Sequence, residues 1–542
     1  MNVLLLNPSS PPSFWSFERS CKLLGHKSLI PPLGLITVAA LLPESWNLRL
    51  IDLNCSSVTD DDWDWADMVM ISGMIVQRDG MFGLIREART RGKTVVVGGP
   101  YSTSCPEEAL AEKPDFLVRG EGENTVPLLL EALADGKIGG VFSSTEKPDM
   151  TESPTPRFDL LHLPHYTTMA VQTSRGCPFD CEFCDIVNLY GRKPRYKTPD
   201  QIAEELETLY RLGWRREIFF TDDNFIGNKV YAGRTLQRLI PWMKERGEPF
   251  AFWCQASVNL GNDPAMIDLM TEANFATVFI GVESPDEEVL ELNAKYQNIR
   301  HPLLESLANI KKNGLGVVAS FVIGFDGERK GAGERIAAFV EESDIPFVML
   351  NSLQVLPNSR LWDRLKKEGR LRESWTTGEV IGSRLNYAPT RPESEIMQEY
   401  LRCWEYLYEP SRYLARAYRY FQAMRPTRRA LAVKNGAPPQ TEPVKAKTPL
   451  RERFRDVISF LRLIWWQGIK PTHRALFWRQ LAGMYRANPS RLIKYLECCA
   501  NGENMFPLRE LVRRRVAESL EELSPSSGTH LASGRFASSG GK

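Results

Sequence analysis

The segment TSRGCPFDCEFCDI, residues 173–186, puts Cys177, Cys181 and Cys184 within eight residues, directly after the apolar run TMAV (168–171). Three is an odd number, so the set does not read as a disulfide framework. Two readings remain. A structural zinc site takes four protein ligands, and His162 or His165 could supply the fourth, although both lie in a proline-rich stretch with no second cysteine pair nearby. A 4Fe-4S cluster ordinarily takes four thiolates, so three would leave one iron open for chemistry.

Outward from the cysteines, six apolar runs alternate with helical patterns. They are TMAVQTSRG, REIFFTDDNF, AFWCQASVN, ATVFIGVES, GVVASFVIGFD and PFVMLNSLQVLPNS, with TPDQIAEELETLYRLG and HPLLESLANIKKNG among the helices between them. This alternation over 167–392 predicts a partial (β/α)6 TIM-type barrel whose chemistry lies at the carboxyl ends of its strands. Upstream, NVLLLNP, NLRLIDLN, DMVMISGMI, KTVVVGGPY and DFLVRGEGE alternate with PLGLITVAALLPE and GMFGLIREARTRG. Continuous apolar strands of this kind predict a doubly wound, Rossmann-like parallel sheet, here over 1–145. Ligands of such sheets lie beyond the strand ends, where Ser72-Gly73, Gly98-Gly99-Pro100 and Gly120-Glu121 would let a large ligand approach the backbone.

A proline-rich linker spans 146–166, and from 393 to 524 the pattern becomes helical, divided by the loop KNGAPPQTEPVKAKTP. The tail, 525–542, has too little apolar content to fold. At 542 residues the chain holds several domains, and a net charge of +1 implies no acidic partner. No signal peptide is visible and no apolar run approaches the roughly 20 residues of a membrane span, so the sequence reads as cytosolic. Residues 401–524 nevertheless carry about 24 Lys or Arg against about 11 acids, interleaved with aromatics in FLRLIWWQGIK and RALFWRQLAGMYR. Trp465, Trp466 and Trp478 among Arg462, Lys470, Arg474 and Arg479 suit a peripheral contact with an anionic membrane. The alternative is that these helices bury their aromatic face on the barrel. No nucleic-acid module is present, so no nucleic-acid partner is expected.

Cys177-x3-Cys181-x2-Cys184, with Phe183 before the last cysteine, resembles the radical S-adenosylmethionine (SAM) superfamily. The resemblance implies that the three cysteines hold a 4Fe-4S cluster and that SAM chelates the open iron. One electron, from an external donor such as ferredoxin or flavodoxin, then releases methionine and a deoxyadenosyl radical. Phe183, Asp222, Gln255, Ser257, Glu283, Ser320 and Leu356 match positions at which the family contacts SAM, the last two through backbone. Asp222 and Glu283 stand out among them, since an unpartnered carboxylate at a barrel mouth is costly.

A doubly wound domain upstream of such a barrel resembles the cobalamin-binding subgroup. That resemblance assigns cobalamin to Ser72, Gly73, Gly98, Gly99, Pro100, Gly120 and Glu121. There is no Asp-x-His-x-x-Gly, and His26 lacks the preceding Asp, so no histidine is expected beneath cobalt. Longer segments, among them ISGMIVQRDGM, FTDDNFIGNK and LYEPSRYLARAYRYF, look like the group that contains the hopanoid C-2 methylase. The resemblance implies a C-methyltransferase using two SAM molecules, one to methylate cobalt and one to make the radical, on a hydrophobic substrate of the lipid or hopanoid class. A radical SAM cyclase, rearrangement or oxidation enzyme of the same architecture is an alternative, and a non-catalytic iron-sulfur or cobalamin sensor is another.

Overall fold

The computed structural model describes residues 1–372, 381–436 and 450–523, with side chains of 450–456 excepted. Two six-stranded parallel sheets form its frame. In the first, β1 (Asn2–Asn7), β2 (Asn47–Asp52), β3 (Met68–Ser72), β4 (Thr94–Gly98), β5 (Phe116–Arg119) and β6 (Gly140–Ser143) lie in the order β2-β1-β3-β4-β5-β6. Val3 to Leu6 and Val95 to Val97 are buried, as strands covered on both faces by helices must be. The order reverses between β1 and β3, which makes Asn7 and Ser72 flank the topological switch point. The sequence did not announce β6: it is a short edge strand whose Val141 is exposed, so it lacks the apolar run that marks the others.

The second sheet follows β7 (Thr168–Val171). A two-residue antiparallel ribbon, β8 (Ser174–Arg175) with β9 (Arg195–Tyr196), brackets the cysteine loop. Then come β10 (Glu217–Phe220), β11 (Ala251–Ala256), β12 (Phe275–Glu283), β13 (Gly316–Ile323) and β14 (Val348–Ser352), ordered β14-β13-β12-β11-β10-β7. All six runs read as strands from the sequence are strands here, and the barrel is open between β7 and β14.

The N-terminal domain helps to cover that opening. After β1 the chain leaves the first sheet, and the backbone N–H groups of Thr167 and Thr168 donate to Ser28 and Leu29 carbonyls beside β7. Phe14 and Phe17 pack on Phe347, just before β14, with ring centroids 4.9 and 5.6 Å apart. Helix Glu18–Leu23 lies against the C-terminal helix Leu492–Glu522.

The helical C-terminal region is fastened to the barrel by aromatic side chains. Trp404 Nε1 donates to the Leu350 carbonyl at 3.1 Å, and the Tyr420 hydroxyl accepts from Val317 N at 2.9 Å. The pattern EIMQEYLRCWEYLYEPSRYLARAYRYFQAM forms two helices, Glu393–Leu407 and Pro410–Ala423. Pro410 at the first turn and Glu409, whose carboxylate accepts from Ser411 and Arg412 N–H groups, start the second. Residues 464–469 continue helix Leu450–Leu463 as a π-helical turn. Most of the dividing loop and the tail 525–542 lie outside the described residues.

Candidate functional site

At the carboxyl ends of the barrel strands, a pair of aspartates holds the start of the cysteine loop. Asp222 follows β10 and is fully buried; its Oδ1 accepts from Thr173 N (3.0 Å), Thr173 Oγ1 (2.8 Å) and Ser174 Oγ (2.7 Å), and also from Ser174 N. Asp223 Oδ2 accepts from Gly176 N at 2.9 Å. Burial pushes both carboxyls up, Asp223 to about 7, against the pull of these hydrogen bonds. Gly176 has φ of 98°, and a Cβ there would meet the Gly191 carbonyl at 2.8 Å, so only glycine turns the chain into the loop. Within the loop, Glu182 accepts from Arg364 Nε at 2.7 Å, and Asp180 accepts from Arg360 at 2.9 Å. The loop is therefore anchored on both sides of its sulfurs.

Cys177, Cys181 and Cys184 are partly exposed, whereas the other seven cysteines are buried. Desolvation within the loop still raises the thiols of Cys177, to about 11, and of Cys184, so loading with metal must displace protons. Among the described residues, no three His, Cys, Asp or Glu side chains converge on a point as a single ion requires, and the zinc alternative lacks a ligand set. A cluster makes no such demand, because each thiolate binds a different iron. Accessible, anchored and clear of disulfides, the three sulfurs fit a 4Fe-4S cluster.

Around Cys181 lie residues that sequence reasoning missed. Gln297 Nε2 donates to Cys181 Sγ at 3.4 Å. Lys295 Nζ, on a largely buried side chain, pairs with Glu283 Oε1 at 2.5 Å and sits 5.6 Å from the centre of the Phe183 ring. Glu283 itself has φ of 67°, in the left-handed region, at a register shift between β12 and β13. That is local strain of the kind held at functional sites, and the irregularity sets where its carboxylate points. Nothing in LNAKYQN marks Lys295 or Gln297, whose pattern is that of an ordinary helix and turn. Only the fold brings Gln297 beside a sulfur 116 residues upstream.

The remaining SAM positions fall in two groups. Ser257 Oγ bonds Asn224 at 3.1 Å, joining the ends of β10 and β11, next to Gln255 on β11. Ser320, buried, lies in register with Gly281 on β12, and Leu356 follows β14 with its carbonyl accepting from Ser359 Oγ at 2.7 Å. Both carboxylates singled out from sequence, Asp222 and Glu283, thus already have partners in their own chain.

In the first sheet, Gly99 has φ of 87° and a Cβ there would collide with Ser72 Oγ, so the ends of β3 and β4 touch through a glycine. Gly120 N donates to Thr103 Oγ1 at 3.0 Å. Glu121 is buried and committed: Arg195 Nη2 reaches it at 2.7 Å and Arg175 Nη1 at 2.8 Å. Arg175 also bonds both Glu123 oxygens at 2.9 Å. Burial alone would raise Glu123, but the Arg175 guanidinium overrides it and holds that carboxyl below its usual range. The end of β5 is thereby bolted to the residue two before Cys177, which couples the two sheets. The backbone and small side chains of Ser72, Gly73 and Gly98 to Pro100 at the adjacent ends of β3 and β4 fit a large flat cofactor. His26 is held elsewhere, Nδ1 near the Pro164 carbonyl at 2.9 Å and Nε2 on Arg216.

The radical SAM superfamily profile matches residues 171–340, the B12 binding domain matches 26–130, and a domain of unknown function matches 359–518. An uncharacterized methyltransferase of Synechocystis sp. is 47% identical over 524 residues, 96% of this chain and 94% of its own. The hopanoid C-2 methylase of Rhodopseudomonas palustris is 35% identical over 482 residues, 88% of each chain. The chain belongs to the cobalamin-dependent radical SAM methyltransferase family. It is an enzyme of that family, whose cofactors are SAM, a 4Fe-4S cluster and cobalamin. Solved structures share its fold. The cobalamin-dependent SAM radical enzyme OxsB, with aqua-cobalamin and SAM bound, has a TM-score of 0.58 at 16% identity, over 96% of this chain and 81% of its own. The radical SAM methyltransferase TsrM from Kitasatospora setae has a TM-score of 0.55 at 16% identity, over 68% and 76%.

Proposed function

We propose that the enzyme C-methylates an unactivated carbon of an apolar, membrane-held substrate of the hopanoid or related lipid class, working at the surface of an anionic membrane. The observation that carries this reading is an exposed aromatic face on the C-terminal helices. Trp465 is 54% exposed, Trp478 45% and Tyr485 70%, beside exposed Phe460, Leu461 and Ile469. These rings are not buried against the barrel. Lys470 lies 4.3 Å from the Trp466 ring, and Arg474 and Arg479 are exposed beside Trp478. Bulky aromatics set among cations suit the boundary between anionic headgroups and acyl chains. Among the described residues no helix is long and apolar enough to cross a membrane, so the contact is peripheral. The relation to a hopanoid methylase supports the substrate class.

When bound, the cluster, SAM and cobalamin supply reductive cleavage of SAM and the methyl group to be transferred. The chain's own task is to position them. Cys177, Cys181 and Cys184 hold the cluster on a loop fixed by Asp222, Asp223 and Arg364. Phe183, Gln255, Ser257, Glu283, Ser320 and the Leu356 backbone form the SAM shelf, and the glycine-lined ends of β3, β4 and β5 receive cobalamin. The Arg175 clamp keeps the two shelves in register, which is where an enzyme of this kind gains rate. The electron comes from a ferredoxin or flavodoxin in the cytoplasm.

Sedimentation with anionic vesicles tests the membrane contact. Binding should weaken as salt rises, with each Lys or Arg at the surface worth about 1 kcal/mol. Arg474→Glu with Arg479→Glu should release the protein and leave substrate-free SAM cleavage intact. Extracts incubated with methyl-deuterated SAM should yield a lipid about three mass units heavier than the unlabelled product, since a whole CD3 group is transferred. Absence of vesicle binding at low salt overturns the membrane reading, and label entering only a water-soluble product overturns the lipid class.

A further inference from the structure

The barrel is hollow at the end away from the cysteines. A cavity of about 940 Å³ opens there, and each of the six strands contributes to it at its amino end: Thr168, Glu217, Thr277 and Gly316, with Pro249 just before β11 and Phe347 just before β14. That volume is at the upper end for ligand sites, and the interior of such a barrel is ordinarily packed with side chains. The cavity wall nearest the cysteine end is aromatic. Trp15, Trp253 and Phe279 line it, Trp15 lying 6.4 Å from Trp253 and 5.3 Å from Phe279, and Phe219 backs Trp253 with ring centroids 3.7 Å apart. Trp253 Nε1 is buried with no hydrogen-bond partner among the described residues, a donor left waiting at a cavity wall. Two residues further along β11, on the same side of the strand, stands Gln255 of the SAM shelf, about 7 Å away by strand rise.

The opposite wall is cationic. Arg215, Arg246, Arg429, Arg491 and Lys494 line the cavity against the carboxylates Glu217, Glu248 and Glu497. Lys494 is paired with Glu217 and Glu497, whereas Arg429 is exposed and makes no ion pair among the described residues. The site also adjoins the aromatic face. Ser459, Arg491 and Lys494 line the cavity, while their neighbours Phe460, Leu492 and Leu496 line a shallow apolar groove with Trp478 and Tyr485. A molecule leaving a membrane held at that groove meets this cavity next.

We propose that the cavity is a second ligand site, at the end of the barrel opposite the cluster, for a single anionic amphiphile. Its apolar body lies on Trp15, Trp253, Phe279 and Phe347, and its head meets the cationic rim. The site stands apart from the methylation reading and shares with it only the membrane face. Such a ligand has two sources, a resident phospholipid or an anionic polycyclic lipid, and both present the same chemistry, an apolar body with an anionic head.

Pregnenolone sulfate, a rigid polycyclic anion, serves as the probe on the full-length protein, with uncharged pregnenolone as its comparison. One equivalent of the sulfate should bind saturably, at least tenfold more tightly than pregnenolone. Thr277→Trp, which fills the cavity, should lower that affinity at least tenfold, and Arg429→Glu should narrow the preference for the anion. Val318→Phe is the second filling variant should Thr277→Trp fail to fold. A diazirine derivative of the probe should label peptides carrying Trp15, Trp253 or Phe347. Native mass spectrometry of the purified protein separates the sources: a retained phospholipid displaced by the probe, or a polycyclic lipid displaced by it. Absent saturable binding, unchanged affinity in a folded filling variant, or labelling confined to residues 177–223 overturns the proposal. SAM cleavage without substrate should be normal in both filling variants, so these outcomes leave the methyltransferase reading to its own test.

Discussion

The two ends of one barrel are built from the same six strands and differ in what their inward side chains do. Along β11 the inward residues run Ala251, Trp253, Gln255, from apolar to polar within one short strand. At the cysteine end, Asp222, Asp223, Glu182 and Glu283 each bond a named group of their own chain. At the other end Trp253 and Phe279 face a volume left unfilled, with Arg491 and Lys494 among the charged groups of its lining. Polar groups at the first end stiffen a loop; aromatic ones at the second border open space. Rigidity where cofactors must be positioned and space where a ligand must be accommodated is a division the alternation of strand side chains makes available without disturbing the sheet.

The largest effect that would break this contrast lies at the sulfurs. Cys177→Ala, Cys181→Ala or Cys184→Ala should each reduce SAM cleavage with a chemical reductant to background, with the far-ultraviolet spectrum and unfolding midpoint unchanged. All three lie on an anchored loop and belong to none of the hydrophobic clusters, so the fold does not depend on them. Cleavage surviving in the triple variant would remove the cluster assignment.

Next in size is the clamp between the sheets. Arg175 is 11% exposed and its partners Glu121 and Glu123 only 3% and 4%. Arg175→Ala strands the buried Glu123, leaves Glu121 to Arg195 alone, and should destabilise by about 3–5 kcal/mol in denaturant unfolding. Lysine should not restore it, because one ammonium cannot bridge both carboxylates as the guanidinium fork does. Acid gives the sign. Glu123 is held below its ordinary value of 4.5, so its contribution is full above that pH and is lost as pH falls through the lowered value. The wild type should therefore lose stability in that acid window more steeply than Arg175→Ala; equal slopes would mean the pair contributes nothing.

How much of this was legible in the sequence divides along the same line. The six barrel strands, the first five strands of the first sheet and the three cysteines all carry local signals: apolar runs, glycine at the turns, and a fixed spacing. Asp222 and Glu283 were visible as polar residues at strand ends, but not their partners Thr173, Ser174 and Lys295, which are contacts of tertiary origin. The cavity was hidden for a related reason. Trp253 and Phe279 read as ordinary core aromatics, and only the excursion of residues 8–30 from the first domain, bringing Trp15 onto Trp253, reveals a wall rather than a filled interior. Glu121 was visible as a carboxylate at a strand end, but nothing local announces Arg175 and Arg195, which pair with it.

A smaller effect is expected at Asp222. Alanine there removes the acceptor for two hydroxyls and two backbone N–H groups, at about 1–3 kcal/mol for the buried donors left unsatisfied. The loop that starts at Thr173 should loosen, so iron and sulfide content should fall after reconstitution while the cysteines remain present to alkylation. Full iron content with normal SAM affinity would mean that the loop's other anchors, Arg364 on Glu182 and Arg360 on Asp180, suffice.

The smallest change concerns electronics rather than architecture. Gln297 donates to Cys181 Sγ, and a hydrogen bond to a cluster sulfur favours the more negative, reduced state. Gln297→Leu keeps most of the side-chain volume and removes the donor, so the midpoint potential in an electron-paramagnetic-resonance titration should move to lower values with iron content unchanged. Lys295 remains in place, held by Glu283, so the shift isolates the amide from the ammonium. Gln297→Glu sharpens the reading: a carboxylate near the sulfur should lower the potential further than leucine does. Were both variants to match the wild type, the amide would be packing beside the sulfur without bonding it, and the cysteine end would owe its character to the aspartates and arginines alone.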